Sequence, residues 1–281
     1  MTREVDSKLY SKSYYLDGCA GFEEYKTTGG QTLSPRHKYL LDIARIEPGS
    51  RLLDIGTGRG EIPIHAARSG AEAVGVDYAQ AAVSLAEEML KLVERETAGR
   101  VRFQQEDAQH MTFADDMFDV VTMFDVVEHL YPEQLENVLD EAYRVLKPAG
   151  RLIVHTDPNR NYNDYVVPLY WRWVRMVLYC PVKWLTGRRL KLSIRSDVEK
   201  SVHVNEQRPY ELRRLLTKKG FITKLWASPF AGRCRELPLG ECLTGMAMSL
   251  WPLNMLPGFK DFLNTHIFAV AVKPGLKGGC I

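Results

Sequence analysis

The chain has 281 residues, 45% of them hydrophobic, enough to bury a substantial core in one large domain or two small ones. A formal net charge of +2 gives no argument for a nucleic-acid partner, DNA included, so any basic surface has to be local. Five cysteines (Cys19, Cys180, Cys234, Cys242 and Cys280) are odd in number and form no CxxC pair, which fits reduced thiols in the cytoplasm better than a disulfide framework or a zinc site. The opening MTREVDSKLY lacks the apolar core of a signal peptide, and no stretch reaches the ~18 uncharged apolar residues of a membrane span, so a soluble chain is expected.

In chain order, the first segment is aromatic-rich (LYSKSYYLDGCAGFEEY) and reads as an N-terminal cap over residues 1–34. Strands are predicted over Arg51–Ile55, Ala73–Asp77, Val101–Gln105, Phe118–Phe124 and Arg151–Thr156, with helices over Glu61–Arg68, Gln80–Arg95 and Pro132–Leu146 between them. The last helix has proline in its first turn and is closed by Pro148 and Gly150. Such alternation predicts a parallel sheet covered by helices on both faces. FITKLWASPF and HIFAVAVKP read as two further strands forming an antiparallel, hairpin-like edge. Two stretches break the alternation, at about 160–201 and 231–264, and their tryptophan, proline, leucine and methionine content predicts structured insertions in a domain spanning 35–281.

The segment RLLDIGTGRGEIPIHAARSGAEAVGVDY reads as strand, glycine turn, helix and strand, with an acid closing the second strand. The dinucleotide fingerprint wants glycine at the first, third and sixth positions; here Gly56 and Gly58 fit, Gly60 follows, and Glu61 stands where the third glycine belongs. A pyrophosphate is held by the free N–H groups and positive dipole of a helix N-terminus, and a carboxylate at Glu61 competes with it, with Asp54 adding a second negative charge nearby. A phosphate-free, cationic ligand suits such a turn, and S-adenosylmethionine has a sulfonium, an ammonium and a ribose with two hydroxyls. Asp77 lies about 20 residues after the turn, where a carboxylate accepts ribose hydroxyls, and Asp107 ends the third strand within reach of an adenine amine.

LLDIGTGRGE, GVDYA, EDAQHMTF, FDVVTMFDVVEHL and EAYRVLKPAGRLIVHT resemble, in order and spacing, the motifs of class I S-adenosylmethionine-dependent methyltransferases, in a type 11-like arrangement. Any one of these motifs is weak evidence, whereas four in register are strong. The match covers roughly Pro35 to Thr156, and more loosely YELRRLLTKKGF and the closing strand. The resemblance implies a Rossmann-like seven-stranded sheet of order 3-2-1-4-5-7-6 with strand 7 antiparallel. It implies that Asp54, Gly56, Gly58 and Gly60 hold the methionine part, Asp77 the ribose, and Asp107 with Ala108 the adenine; Thr57, Tyr78 and Asp125 join this cofactor-binding set. The block YYLDGCAGFEEY, with HVNEQRPYEL later, is similar to bacterial methyltransferases associated with glycan or cell-surface synthesis, which implies a small-molecule, sugar or lipid-linked acceptor. Acceptors of RNA or protein stay as alternatives, as do a nicotinamide-dependent oxidoreductase, disfavoured by Glu61, and a non-catalytic binding module.

Transfer from a sulfonium is an in-line displacement, so the enzyme aligns the nucleophile and, for a hydroxyl acceptor, removes its proton. His129, His155 and His203 are the candidate bases. If a helix starts at Asp125, then Asp125, Glu128 and His129 share one face, a donor set for a divalent metal with His155 or His203 as fourth ligand. That set resembles the ExxEH face of some metal-assisted O-methyltransferases; the plainer reading makes Glu128 and His129 a helix cap in a metal-free site. In DYVVPLYWRWVRMVLYCPVKWLTGRRLKLSIR, aromatics mix with Arg172, Arg175 and Lys183, and a basic run follows from Arg188 to Arg195. This stretch reads as a substrate lid, with peripheral contact to the inner membrane face through 165–195 compatible with it and stacking on RNA the weaker choice.

Overall fold

Short apolar runs separated by glycine turns and amphipathic segments become strands and helices in turn. In the computed structural model, which describes residues 5, 9–17, 22–168, 184, 201–228, 256, 259, 261 and 264–275, seven strands form one sheet. They are β1 (Arg51–Ile55), β2 (Glu72–Asp77), β3 (Val101–Gln105), β4 (Phe118–Phe124), β5 (Leu146–Thr156), β6 (Ile222–Ser228) and β7 (His266–Val272). The order is β3-β2-β1-β4-β5-β7-β6; the first five are parallel, and β7 runs antiparallel to both β5 and β6. Sheet order and strand direction agree with what the sequence motifs imply. The last hairpin is inserted so that β6, not β7, forms the edge.

The helices are α1 (Lys12–Asp17), α2 (Phe22–Thr28), α3 (Pro35–Ala44), α4 (Glu61–Arg68), α5 (Gln80–Leu90), α6 (Arg95–Ala98), α7 (Pro132–Val145) and α8 (Pro209–Lys218). Because neighbouring side chains on a strand point to opposite faces, a central parallel strand needs apolar residues on both. Leu53, Val121, Leu152 and Ala271 pack with Val138 and Leu139 of α7 and Leu212 and Leu216 of α8. Leu52, Val120, Ile153 and Phe268 pack on the other side with Leu40 and Ala44 of α3 and Ile62 and Ala66 of α4. The sheet is therefore covered on both faces, and its carboxyl ends are left for a ligand.

Three local expectations change. The helix expected over Gln80–Arg95 stops at Leu90, because its buried stripe ends at Met89 and Leu92 is exposed; the chain turns there before α6. α7 starts at Pro132 as expected, but the Lys147–Gly150 segment belongs to β5 and not to a helix-closing turn. Lys273 Nζ donates to the carbonyls of Tyr143 (2.9 Å) and Leu146 (2.7 Å), satisfying helix-end acceptors that a C-terminal turn would otherwise serve. No helix begins at Asp125: a single 3-10 turn covers Val127–His129, and Asp125 has φ 57°, in the left-handed region.

In the N-terminal segment, Val5, Tyr10 and Tyr15 bury against Ala79, Ala82 and Leu85 beside Val202. The first insertion is described as far as a π-helical turn at Tyr162–Val166 and Pro168. Trp171, Arg172, Trp173, Arg175, Lys183 and the basic run to Arg195 lie outside the described residues, as does nearly all of 231–264. Among the described residues no helix is long and apolar enough to cross a membrane.

Candidate functional site

β1 ends at Ile55, and the chain reverses through Gly56 (φ 74°), Gly58 (φ 52°) and Gly60 (φ 79°), a conformation that costs any residue with a Cβ. The Gly56 and Thr57 amides donate to the Val76 carbonyl (2.8 and 3.0 Å), which ties the turn to the end of β2. A Cβ at Gly56 would collide with Val126, so the turn also sits tight against the segment after β4. Gly60 has another task. A Cβ there would lie 2.6 Å from Phe103 and 2.8 Å from Ala86, so this glycine lets α4 pack on β3 and α5. Gly60 does not face the cavity described below, contrary to the expectation that it contacts a ligand.

Asp54 and Asp77 flank the turn, each almost wholly buried. Asp54 accepts from Thr122 Oγ1 at 2.7 Å, and burial pushes its carboxyl up to about 7. Asp77 accepts from the amides of Gly58 (3.1 Å) and Ala79 (3.0 Å), and burial pushes it up to about 6 against those bonds. Glu61 behaves otherwise than its position suggested. Its Oε2 lies 2.7 Å from Arg59 Nη2, both side chains are buried, and Arg59 also donates to the Tyr15 carbonyl at 2.8 Å. The charge that was to repel a phosphate is thus largely neutralised, and what stands against a pyrophosphate is the bulk of this ion pair where the third glycine would leave space.

Past β4 the site is assembled from distant parts of the chain. Asp125 Oδ2 takes Arg36 Nη2 at 2.6 Å and Oδ1 takes His155 Nδ1 at 2.5 Å. Burial alone would raise this carboxyl, but Arg36 and His155 outweigh it and hold it well below the usual carboxylate range. His155 is fully buried, touches His266 through Nε2 at 3.1 Å, and does not line the cavity, so it cannot meet an acceptor as a base. Its reach to the site runs only through Asp125.

The grouping of Asp125, Glu128 and His129 on one face is also corrected, since Asp125 turns to Arg36 and His155. Glu128, His129 and His203 instead bring donor atoms within 4.8 Å of one another. The Glu128 carbonyl accepts the amides of Val204 (2.9 Å) and Asn205 (3.1 Å), pinning the segment that carries His203, and Glu128 Oε2 accepts from Thr156 Oγ1 at 2.7 Å. Burial and the neighbouring Asp125 raise the Glu128 carboxyl well above its ordinary value. His129 Nδ1 lies 3.2 Å from the Val202 carbonyl, an acceptor only, so the ring proton sits on Nδ1 and Nε2 keeps its lone pair. Burial and then His203 push His129 down to about 4.

These parts enclose a cavity of about 660 Å³ at the carboxyl ends of β1, β2, β3 and β4. It brings together Asp54, Gly56, Thr57, Gly58, Asp77 and Tyr78 on one side. Asp107 and Ala108 lie along its floor, where Asp107 Oδ1 is held by the Gln109 amide at 2.9 Å. Asp125, Glu128, His129 and His203 close the other side. Sequence reasoning missed Arg36, Asp157 and the tyrosine wall of Tyr10, Tyr14 and Tyr15. The aromatic density of the cap was a signal for the tyrosines; nothing in spacing ties Arg36 to Asp125, 89 residues on.

Residues 53–154 match the methyltransferase domain family model. The chain is 34% identical over 122 residues to the ubiquinone/menaquinone biosynthesis C-methyltransferase UbiE of Ectopseudomonas mendocina, covering 42% of this chain and 45% of that protein. It is 38% identical over 109 residues to the demethylmenaquinone methyltransferase of Clavibacter sepedonicus, covering 38% of this chain and 40% of the relative. The chain thus spans somewhat under half the length of these curated relatives. Among solved structures, phosphoethanolamine N-methyltransferase 2 of Haemonchus contortus with S-adenosyl-L-methionine superposes with TM-score 0.59 at 19% identity, over 94% of this chain and 60% of that one. A likeness at that identity is one of fold, and the fold is the Rossmann-like sheet of the S-adenosylmethionine-dependent methyltransferases.

Proposed function

We propose that the protein transfers the methyl group of S-adenosylmethionine to a small-molecule, sugar or lipid-linked acceptor, at oxygen. The observation that carries this reading is the cavity itself: the Gly56–Gly58 turn, a buried Asp77 and Asp107 follow one another along the ends of β1, β2 and β3. That sequence of groups fits the methionine chain, the ribose hydroxyls and the adenine amine of the cofactor in turn. Asp77, Glu106, Asp107 and Asp157 line the cavity with no arginine or lysine paired to them among the described residues, a setting that favours a sulfonium and an ammonium over a pyrophosphate. Calorimetry with S-adenosylhomocysteine and with NAD tests this directly: micromolar binding of the first and none of the second is expected, and the reverse would move the chain to nicotinamide chemistry.

When bound, the cofactor supplies the electrophilic methyl. The chain's own residues align the acceptor, exclude water and receive its proton. His129 supports that last role, because it lines the cavity and its Nε2 keeps a lone pair, with His203 next to it at a ring separation of 4.9 Å. The C-methyltransferases among the relatives make carbon the alternative site of transfer. Lipid linkage rests on the aromatic and basic composition of 165–195, as does contact with the inner membrane face; co-sedimentation with anionic vesicles tests both.

A second reading follows from the convergence of Glu128, His129 and His203, a two-histidine, one-carboxylate set that suits a first-row divalent cation. In that case His129 ligates the ion and is not the base. Loss of turnover in EDTA, restored by Mn²⁺ or Zn²⁺, selects this reading; full turnover in EDTA selects the base.

A further inference from the structure

Residues 9–17 cross the cavity from one side to the other. At one end the Tyr15 ring lies 3.6 Å from where a Cβ on Gly58 would stand, over the glycine turn. At the other, the Tyr10 ring meets Tyr78 edge-on at 5.5 Å and His129 at 5.7 Å, bridging from the end of β2 to the turn after β4. Leu9, Tyr10, Ser11, Ser13, Tyr14 and Tyr15 all line the cavity. A ligand that reaches from Gly58 to Asp77 therefore lies beneath this segment, and it enters or leaves when the segment lifts.

The segment has little stability of its own. A helix as short as α1, six residues, does not recover the cost of its nucleus in water, so it persists only while packed. Its exposed side carries an ion pair of Lys12 with Glu88 at 2.7 Å, and with both side chains more than half exposed that pair contributes little. The firmer tie comes from inside the glycine turn. Arg59, between Gly58 and Gly60, donates from Nη1 to the Tyr15 carbonyl at 2.8 Å, near the end of α1. Its Nε and Nη2 both go to Glu61 Oε2, at 2.8 and 2.7 Å, and the two side chains are buried together. The guanidinium also lies 5.1 Å from the centre of the Tyr25 ring on α2. One buried cation thus joins the turn to α1, α2 and α4, through charge-assisted bonds that water does not weaken.

We propose that Arg59 is a latch: seated in the glycine turn and oriented by Glu61, it holds residues 9–17 closed over the cofactor, which exchanges only when the bond to Tyr15 opens. This inference rests on the cofactor reading above, and it makes Arg59 and Glu61 positioning residues. It also gives the acid at the third-glycine position a task, since Glu61 fixes the guanidinium whose remaining edge grips α1. Because the latched segment sets Tyr10 against Tyr78 and His129 at once, closure over the cofactor side also shapes the wall beside His129.

Two measurements on the full chain test the latch: the rate of tryptic cleavage after Lys12, identified by mass spectrometry, and the rates of S-adenosylhomocysteine association and release, followed by stopped flow. Cleavage needs an extended backbone, so its rate tracks the lifted population. In the wild type, S-adenosylhomocysteine at about a hundred times its Kd should slow this cleavage by about tenfold or more. The double variant Arg59→Met with Glu61→Gln, which leaves no unbalanced buried charge, should be cleaved roughly tenfold faster without ligand, the effect of one lost charge-assisted hydrogen bond. It should also release S-adenosylhomocysteine roughly tenfold faster and bind it faster, so that Kd rises less than the release rate. Glu88→Gln, an exposed change that leaves the fold intact, should move the same rates in the same direction by about twofold. A residue that only stabilised the fold would lower Tm and leave these rates unmoved in the folded protein. Unchanged cleavage and release in the folded double variant or, where that variant does not fold, in Glu88→Gln, overturns the latch. So does a wild type that binds S-adenosylhomocysteine yet is cleaved equally fast with and without it. A wild type that binds no S-adenosylhomocysteine overturns the cofactor reading instead, and ligand-free cleavage of the variants then decides the latch on its own.

Discussion

The two sides of the cavity are built by different means. The cofactor side is local: Asp54, Gly56 and Gly58 lie within five residues, Asp77 ends β2, and Asp107 follows two residues after β3. The side after β4 is composite, joining Glu128 and His129 of a short 3-10 turn to His203 and, through Asp125, to Arg36 of α3 and His155 of β5. Strand ends place the first set as a consequence of sheet topology alone. Only the packing of separate segments places the second. A ligand common to many proteins suits the first construction, and an acceptor particular to one suits the second, because composite walls change with little cost to the sheet.

If that division is real, variants on the two sides should fail in different ways. The largest effect is expected at the composite side. His129→Gln and His203→Gln should lower turnover by roughly 10²- to 10⁴-fold, the range for a lost proton acceptor, with S-adenosylhomocysteine affinity changed less than about threefold. Comparable losses in affinity would mean that the two sides are one unit. On the cofactor side, Asp77→Asn should weaken S-adenosylhomocysteine by about 100-fold, since a ribose loses charge-assisted bonds worth roughly 1.5–3 kcal/mol each. Retained affinity in this variant would remove Asp77 from the ligand site and leave it as the holder of Gly58 and Ala79.

The glycines sharpen the comparison further. Gly56→Ala meets Val126 and a left-handed φ, so both stability and cofactor binding should fall. Gly60→Ala meets Phe103 and Ala86 inside the helix packing and does not line the cavity. It should cost about 2 kcal/mol of stability, read as a lower Tm, while affinity in the folded protein stays near wild type. Equal affinity losses for the two variants would make the turn a single rigid ligand-binding loop.

How much of this was legible depended on the same division. Residues near strand ends were readable because short apolar runs locate the strands, and Asp54, Asp77 and Asp107 lie within two residues of the ends of β1, β2 and β3. The whole sheet order followed from motifs in register. His155 was legible as a strand residue but misread as a base, because the alternation of faces near a strand end does not reveal what lies behind the next strand; here His266 of β7 does. Glu61 was readable as a charge at the helix start, but its partner Arg59 was overlooked, although two residues apart, since the pairing depends on both side chains being buried under Tyr15. Asp125 was assigned helical geometry, and its left-handed φ put its carboxylate on Arg36 instead. Long-range ion pairs leave no periodicity in a sequence.

The smallest effect expected is a pH dependence confined to the cofactor side. Burial pushes Asp77 up to about 6 in the ligand-free protein. A raised carboxyl means that the folded protein binds this proton more tightly than the unfolded chain, so the group's contribution to stability is present in acid and lost as pH rises through about 6. His37, pushed by burial down to about 3, works in the opposite sense, favouring the folded state as pH rises through the ordinary histidine range. Whole-protein melts therefore mix the two, whereas the difference between wild type and Asp77→Asn isolates the acid: the variant should gain in relative Tm between pH 5 and pH 8. Ligand binding has the reverse sign, because ribose hydroxyls donate to the ionised carboxylate. Affinity for S-adenosylhomocysteine should thus fall as pH drops from 8 to 5, by at most about tenfold for one group a single unit above the assay pH, and the variant should be flat over that range. A wild-type affinity that does not change with pH, alongside a Tm difference that does, would mean that Asp77 braces the turn from within and that the ribose is held by other groups.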